Sequence, residues 1–375
     1  MPKLDLPLQL SPVFKPKPWG RADLAPLFGS SPRAAKGAPK TSAVVAKKRR
    51  ATEGSAVSGA KIGEVWLTGD SAEFRTGPVA GLTLAEASRE YGSELHGASW
   101  TGERFPILAK YLYTSDWLSV QVHPNDDQAR QFDPGNLGKC EMWHIIERDD
   151  KAVCALGLKA GTDRPALRAA CEKAKSRELL NRFRPDPGEA IFVAPGTVHA
   201  LGPGLILFEA EQNSDLTYRL DDYGRLGLDG KARPLHLDKG LAVTRPELPP
   251  RRNLPLLEFP EPFGSRRYLV ACPFFAVEEW NLRKLASLQG SPERVEVFSV
   301  LSGEGRMETA AGWLGYRPGE TWLIPPHIGR YRLVPQPKTR SRLLRFYVPD
   351  LNRDFRAPLT KRGVKPEDIR QVVFA

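Results

Sequence analysis

The sequence predicts a mainly β fold of two related β-barrels with a few helices. Short apolar or alternating segments recur along most of the chain, and Gly, Pro and Asp separate them, as is typical of strands joined by turns. An internal repeat supports the two barrels, because Pro187–Val193 (PGEAIFV) is echoed by Pro318–Ile324 (PGETWLI). Each copy joins a Pro-Gly turn to an acidic residue and an apolar strand. The two halves are therefore expected to contain copies of one barrel.

Strands are predicted in both halves from apolar and β-branched segments bounded by turn residues. Those of the first half are Ile107–Tyr113, Leu118–His123, Glu141–Ile146, Val153–Leu158, Ala190–Val193 and Leu205–Glu211. Those of the second half are Tyr268–Val270, Val277–Asn281, Val295–Leu301, Thr321–Ile324 and Leu343–Tyr347. Helices are predicted at Thr83–Tyr91, which opens with the capping-box pair Thr83 and Glu86, and at Asp163–Phe183 and Lys365–Arg370.

A proline-rich stretch, Pro246–Pro262, is the best domain boundary, because it breaks the strand pattern. The prediction is a first domain at residues 1–245, a linker at 246–262 and a second domain at 263–375. In the first repeat copy His199 stands eleven residues after the glycine, whereas Arg330 holds that place in the second copy. The second domain is therefore expected to be metal-free.

The formal net charge of +11 is unevenly distributed along the chain. Residues 31–53 carry seven basic residues and one acid, so this basic insertion accounts for +6 and the rest of the chain for +5. The insertion is rich in Ala, Gly, Pro, Ser and Lys, which predicts an exposed flexible loop. The alternative is a nucleic-acid contact through Lys47–Arg50, although no aromatic platform accompanies these residues. We therefore expect no specific nucleic-acid partner.

Composition and sequence patterns argue against a disordered, secreted, membrane-spanning or disulfide-stabilised protein. A hydrophobic content of 41% is typical of a folded globular protein. The first residues, MPKLDLPLQLSPVF, lack the basic start and apolar run of a signal peptide, and no apolar stretch is long enough to span a membrane, so a cytoplasmic location is expected. The cysteines form no CxxC pair and are expected to be reduced and structural; they are Cys140, Cys154, Cys171 and Cys272.

Four side chains have the nitrogen and oxygen atoms that suit a zinc site. On a strand, alternation directs Ser119, Gln121 and His123 to one face, and a second strand begins with Glu141. His199 follows a tight turn at a strand end, where the mouth of a barrel is expected. Each residue alone is explained as well by polar surface. Together they could form one site, because a barrel brings distant segments of the chain together.

A further polar segment, Glu209–Arg219, follows directly after an apolar strand. With Arg225 it could place cationic and acidic groups around a substrate. A salt-bridged surface loop is the alternative interpretation.

The motifs together resemble those of type I mannose-6-phosphate isomerases, in particular the short bacterial form. They occur in the family's order over residues 15–225, and they are KPWG (17–20), IGEVW (62–66), FPILAK (105–110), QVHPND (121–126), GKCEMW (138–143), GTVHA (196–200) and QNSD (212–215) followed by Arg219. The resemblance implies two cupin-type (jelly-roll) barrels. It also implies a reversible aldose–ketose isomerisation between mannose 6-phosphate and fructose 6-phosphate.

The resemblance implies specific residues as well. The family's zinc ligands, one ion per chain, fall on Gln121, His123, Glu141 and His199. Its active-site residues fall on Trp19, Lys110, Ser119, Lys139, Asp215 and Arg219, with Arg225 as a further basic residue. We expect Arg219, Asp215, Lys139 and Lys110 to be catalytic, and Trp19, Ser119, Lys110, Lys139 and Arg225 to bind the hexose phosphate.

The chain departs from the family at a few positions. Ala194 replaces a proline, His144 replaces an aromatic residue, and Arg225 replaces a lysine of some relatives, which keeps the charge but changes its geometry. None of these removes a metal ligand. The alternative function is a non-catalytic cupin that senses sugar phosphates.

Overall fold

The computed structural model describes residues 2–28, 60–102, 104–252, 254–255 and 257–374. The basic insertion predicted at 31–53 lies outside these residues, and so does the Lys47–Arg50 segment. The described strands are β1 (Leu8–Leu10), β2 (Val13–Arg21), β3 (Ile62–Trp66), β4 (Ile107–Tyr113), β5 (Val120–Val122), β6 (Glu141–Arg148), β7 (Cys154–Leu158), β8 (Leu180–Phe183), β9 (Ala190–Val193), β10 (His199–Leu201), β11 (Leu205–Gln212), β12 (Tyr218–Asp221), β13 (Leu257–Glu261), β14 (Gly264–Ala271), β15 (Ala276–Leu282), β16 (Ala286–Gln289), β17 (Glu296–Ser302), β18 (Gly305–Thr309), β19 (Gly312–Tyr316), β20 (Thr321–Ile324), β21 (Arg330–Pro335) and β22 (Ser341–Tyr347).

The α-helices are short and lie between the strands or at the end of the chain. They are α1 (Leu84–Tyr91), α2 (Ser93–His96), α3 (Asp126–Phe132), α4 (Arg164–Glu172), α5 (Leu237–Val243), α6 (Ala357–Lys361) and α7 (Pro366–Val372). Short 3-10 turns lie at Ser176–Leu179 and Pro326–Ile328, and a π-helical turn at Asn352–Arg356. Among the described residues, no helix combines the length and the apolar character that crossing a membrane requires.

Four antiparallel sheets form two barrels, which confirms the predicted mainly β fold. Sheet I has the order β2–β3–β4–β11–β6–β9, and sheet II has the order β12–β5–β10–β7–β8. Their facing sides enclose an apolar cluster that includes Trp143, Leu156 and Leu207, and they form the first barrel. Sheet III (β1–β20–β17–β22–β15–β14–β13) and sheet IV (β16–β21–β18–β19) enclose the second barrel around residues such as Phe298 and Leu333.

The two barrels pack against each other through sheets I and III. The rings of Phe208 on β11 and Phe346 on β22 lie 5.5 Å apart across this contact. Next to them the hydroxyls of Tyr111 and Ser299 share a hydrogen bond of 2.7 Å. Because these groups are buried, this part of the interface has the apolar character of a core, and its two hydroxyls satisfy each other.

The predicted repeat is present in the structure at equivalent places. Gly188 and Gly319 have φ angles of +87° and +82°, a region that favours glycine. Gly188 precedes β9 at the edge of sheet I, and Gly319 precedes β20 near the edge of sheet III. Strand β9 pairs with β6, and β20 pairs with β17. Beyond these strands the two copies are offset by one residue. Arg330, which matches His199 in the repeat, is exposed, and the next residue, Tyr331, faces the interior of the second barrel.

One predicted helix is shorter than expected. The segment predicted at Asp163–Phe183 is helical only over α4, which ends at Glu172. Ala174 adopts a φ of +53°, and the amide of Lys175 bonds to the carbonyl of Ala170, which closes the helix as in a Schellman motif. After the 3-10 turn at Ser176–Leu179 the chain forms β8, which pairs with β7 at the edge of sheet II.

The prediction of α1 is confirmed in detail, because Thr83 and Glu86 form the capping box reciprocally. The cysteines are free and buried, as predicted.

The proline-rich stretch is partly structured. Its residues Leu257–Glu261 form β13 at the edge of sheet III. From the other end of the chain, β1 pairs with β20 of the same sheet. The division at residues 246–262 stays a prediction. The pairings show that sheet III includes a strand from the predicted linker, β13, and a strand from the start of the predicted first domain, β1.

Candidate active site

The four predicted ligand residues meet inside the first barrel. Strand β5 runs antiparallel to β10, and this pairing places Gln121 directly opposite His199. Alternation along β5 turns Val120 and Val122 to the apolar cluster on the outer face of sheet II, so Gln121 faces the interior. Glu141 begins β6 on the facing sheet. The strand geometry therefore assembles the cluster from both sheets.

Both histidines are held in one tautomer. Nδ1 of His123 donates to the carbonyl of Leu216 over 3.0 Å, and Nδ1 of His199 donates to the carbonyl of Thr197 over 2.9 Å. The Nε2 atoms then lie 3.5 and 3.2 Å from the two carboxylate oxygens of Glu141. Burial lowers the pKa of both imidazoles below the ordinary value, so the rings are neutral near pH 7.

This cluster fits a divalent metal ion. One ligand atom from each of His123, Glu141 and His199 lies within 4.8 Å of the others, and all three side chains are buried. Nε2 of His123 and one oxygen of Glu141 have no hydrogen-bond partner among the described residues, although both are buried acceptors. Buried acceptors without donors are costly, and a cation between them removes that cost. The donor set of neutral imidazole and carboxylate is one that metals such as zinc bind.

Gln121 approaches the cluster with its amide nitrogen. Its Nε2 lies 3.1 Å from Nε2 of His199, and its Oε1 accepts from Ser119 Oγ over 3.2 Å. A half-turn of the amide exchanges the two atoms and presents the oxygen to the cluster. Ser119 Oγ can either donate or accept, so it can pair with either orientation.

A network of buried lysines and glutamates lies beside the metal-ligand cluster. Lys139 Nζ is 2.6 Å from Glu141 and also contacts Glu211. Lys110 Nζ is 2.8 Å from Glu211 and 3.4 Å from Glu209. Burial opposes the charged form of each lysine, but the carboxylates outweigh it and raise the pKa of both above the ordinary value. Both ammonium groups are therefore charged at any physiological pH.

A cavity of about 200 Å³ opens beside the network and the cluster. Six predicted site residues line it together with the ligand Gln121, and they are Trp19, Lys110, Ser119, Lys139, Asp215 and Arg219. The sequence reasoning gave no individual role to the other polar residues of the wall, although two of them lie in the polar segment Glu209–Arg219 that it singled out; they are Lys17, Glu64, Glu209, Thr217 and Arg233. Glu64 and Lys17 form an ion pair of 2.9 Å, and the nearby lysines hold the pKa of Glu64 at about 2 against the opposing effect of burial.

Arg225 does not line this cavity, unlike the other residues predicted to bind substrate. Its guanidinium lies 2.6 Å from Asp222 and also donates to the carbonyl of Trp117. The same carboxylate binds Arg233, which does line the cavity. Arg225 therefore contacts the wall from behind through Asp222, and its assignment to substrate binding stays a prediction.

The missed residues left a partial signal in the sequence. Glu209 and Glu211 alternate with apolar residues in β11, a strand whose residues are all buried. Acidic residues inside a buried strand require a cation, and this pattern could have pointed to the two lysines. Arg233 left no such signal, because it follows a largely exposed loop, residues 226–232, and has no regular pattern of apolar neighbours.

The paired barrels and the polar cluster in one of them define a two-barrel, cupin-like protein with a candidate metal centre. Comparison with known proteins gives the family. The model of the phosphomannose isomerase type I catalytic domain matches residues 8–142. Mannose-6-phosphate isomerase ManA of Bacillus subtilis is 34% identical over 333 residues, which cover 87% of this chain and 95% of the relative. The chain therefore belongs to the type I phosphomannose isomerase family and is an isomerase.

Other relatives agree with this assignment. A mannose-6-phosphate isomerase of Streptococcus mutans is 32% identical over 251 residues, covering 67% of this chain and 77% of the relative. The crystal structure of mannose 6-phosphate isomerase from Bacillus subtilis superposes with a TM-score of 0.77 at 26% identity, covering 91% of this chain and 99% of that one. Membership of an enzyme family argues against the alternative of a non-catalytic sensing cupin.

Proposed function

We propose that this protein is a zinc-dependent isomerase that interconverts mannose 6-phosphate and fructose 6-phosphate. The observation that carries the proposal is the cluster of His123, Glu141 and His199, whose buried ligand atoms converge beside a polar cavity. Two imidazole nitrogens, a carboxylate and the amide oxygen of Gln121 would hold one Zn²⁺ per chain. The curated relatives bear the name of this activity.

The charges of the site suit a substrate that carries a phosphate. Five cations line the cavity, namely Lys17, Lys110, Lys139, Arg219 and Arg233. Six carboxylic groups lie in or next to the wall, namely Glu64, Glu141, Glu209, Glu211, Asp215 and Asp222, and burial raises the pKa of Glu211 well above its ordinary value. With a divalent metal bound, positive charge would exceed negative charge at the wall, which suits a phosphate monoester dianion.

The reaction moves a proton between C1 and C2 of the sugar through an enediol. A bound Zn²⁺ supplies a Lewis acid that stabilises negative charge on a sugar oxygen. Lys139 and Lys110 keep their protons, and we assign them to stabilising the same developing charge by charge-assisted hydrogen bonds. Neither lysine is available as a base in this protonation state.

A carboxylate is therefore the better candidate for the base. Glu64 is a weak base, since its pKa is held at about 2. Asp215 lies at the mouth with 61% of its side chain exposed. Glu209 is buried in the wall, accepts from Trp143 Nε1 over 3.1 Å and lies 3.4 Å from Lys110. We assign proton transfer at the sugar carbons to Glu209, and opening of the sugar ring to Asp215 and Arg219 at the mouth.

Trp19 and Ser119 complete the proposed substrate contacts. Trp19 is 97% buried and presents part of its ring to the cavity, where it can pack against the apolar face of a sugar. Ser119 can donate to a substrate oxygen when its bond to Gln121 is released.

A coupled assay tests the proposed function. Purified protein is given mannose 6-phosphate, and fructose 6-phosphate is followed before chelation, after chelation and after Zn²⁺ is restored. The expected result is turnover that the chelator abolishes and Zn²⁺ restores. Absence of turnover in the zinc-loaded protein would overturn the proposal and return the sensing cupin to consideration.

A further inference from the structure

The cations of the cavity differ in how fully they are neutralised. Lys110 contacts three carboxylates, those of Glu211, Glu209 and, at 3.9 Å, Asp215. Lys139 contacts Glu141 and Glu211. The lysine side of the cavity therefore has its positive charge already paired, and an incoming dianion gains little there.

Arg219 is the opposite case. Among the residues that the structure describes, no carboxylate lies within ion-pair distance of its guanidinium, which donates through Nη1 to the carbonyl of Pro234 over 2.9 Å. Its Nε is buried and has no hydrogen-bond partner in the same set. Burial and the neighbouring charge of Arg233 lower its pKa below the ordinary value. The guanidinium groups of Arg219 and Arg233 thus lie close enough on one wall of the cavity to repel each other, and Arg219 has no direct ion pair among the described residues to offset this.

Arg233 is fixed in this position by a buried carboxylate. Asp222 is 96% buried, and it accepts from Nε of Arg233 over 2.7 Å and from Nη2 at its other oxygen. The remaining nitrogen, Nη1, has no hydrogen-bond partner among the described residues. Asp222 also binds Nη2 of Arg225 over 2.6 Å, and Arg225 has a second, exposed partner in Asp116 at 3.8 Å, so Arg233 shares its only carboxylate among the described residues with another arginine.

We propose that Arg233 is a substrate-binding residue that takes the phosphate of the hexose phosphate, beside Arg219, which keeps its role in ring opening, and that Asp222 is the positioning residue of Arg233. The inference rests on the proposed function for the identity of the substrate. A guanidinium held on one edge presents its other nitrogens in a fixed direction, which is the geometry that recognises phosphate oxygens. The lysine side of the cavity then remains for the sugar oxygens, next to the metal-ligand cluster.

The test compares Arg233→Gln and Arg233→Lys with the full-length wild type, all loaded with zinc. Arg168→Gln is the matched control, because Arg168 pairs with Asp238 on the exposed surface. For Arg233→Gln we expect KM for mannose 6-phosphate to rise about tenfold to a hundredfold with kcat changed little, since the lost contact is made in ground and transition states alike. Arg233→Lys should recover part of the loss.

Inorganic phosphate is the second probe, and it is titrated calorimetrically without any turnover. Its affinity should fall in Arg233→Gln by a factor similar to the rise in KM, and Arg168→Gln should match the wild type. Asp222→Asn should raise KM less than Arg233→Gln does. An unchanged KM together with unchanged phosphate binding in Arg233→Gln would overturn the inference. If the wild type binds phosphate through Arg233 but does not isomerise the sugar, the anion site stands and the proposed function fails.

Discussion

Tyr331 donates a hydrogen bond to Glu296 over 3.1 Å inside the second barrel. In the first barrel the equivalent strands place His199 3.2 Å from Glu141. Both carboxylates lie opposite the last residue of a repeat copy, so the sheet registers make them counterparts. The second carboxylate also binds the guanidinium of Arg345. A tyrosine and an arginine thus satisfy in the second barrel the acid that stands among histidines in the first.

The metal content should follow this difference between the barrels. We expect one ion per chain in the wild type, and the same in Tyr331→Phe, because the phenol hydroxyl belongs to the second barrel, where a tyrosine and an arginine surround the equivalent carboxylate in place of the two histidines. His199→Ala should lose the bound metal and at least about a hundredfold in turnover, since stabilisation of the developing oxyanion is lost. Elemental analysis and the coupled assay measure both quantities. Full metal content and normal turnover in His199→Ala would refute the site.

The base assignment predicts a selective loss in Glu209→Gln. The amide keeps the shape of the side chain and can still accept from Trp143, but it cannot take up a proton. We expect kcat to fall about a hundredfold to ten thousandfold, the range in which a general base contributes. Metal content should stay at one ion per chain, and solvent deuterium exchange at the sugar carbons should fall in parallel. A variant with wild-type kcat would exclude Glu209 as the base.

The sequence predicted the β fold and half of the described strands, because alternation and turn residues are local properties of the chain. It also predicted the candidate metal ligands, because their residue types and the family motifs indicate the same four residues. These residues become neighbours only when sheets I and II pack against each other. It failed where packing decides. Asp222 binds the guanidinium groups of both Arg225 and Arg233. Which of the two lines the cavity depends on how the folded chain places each arginine around this carboxylate. The end of α4 depends on the left-handed conformation of Ala174.

Removing the arginine from the second barrel should destabilise the protein strongly. Arg345 lies against Glu296 and 3.2 Å from Glu278, and both carboxylates are buried. Arg345→Met keeps the apolar stem but leaves two buried acids without their main counter-charge, at a cost of about 3–5 kcal/mol. Urea unfolding should show this loss.

The matched control for that variant is Arg332→Met. Arg332 forms an ion pair with Glu308 but is 56% exposed, so its loss should cost less than about 1 kcal/mol. Equal midpoints for the two variants would contradict the view that Arg345 is the essential counter-ion of the second barrel.

The buried His96 should make the free energy of unfolding depend on pH. Its ring stacks on Trp100 with the centroids 3.8 Å apart, and its Nε2 lies 2.9 Å from the hydroxyl of Ser88. Burial lowers the pKa of His96 to about 3, whereas the unfolded chain has the ordinary value near 6.5. Between these values the unfolded state binds more protons, so the stability is complete above pH 6.5 and is lost as the pH falls towards 3.

From pH 7 to pH 5 this group should therefore cost the wild type about 2 kcal/mol. The change His96→Gln removes the titrating ring, so the variant should lose about 2 kcal/mol less than the wild type over the same interval. The exposed His327 gives a control, and His327→Gln should follow the wild type. Urea unfolding at both pH values measures the three proteins. Equal losses in wild type and His96→Gln would show that His96 takes up its proton without unfolding, through an opening of the α2 region that admits water to the ring.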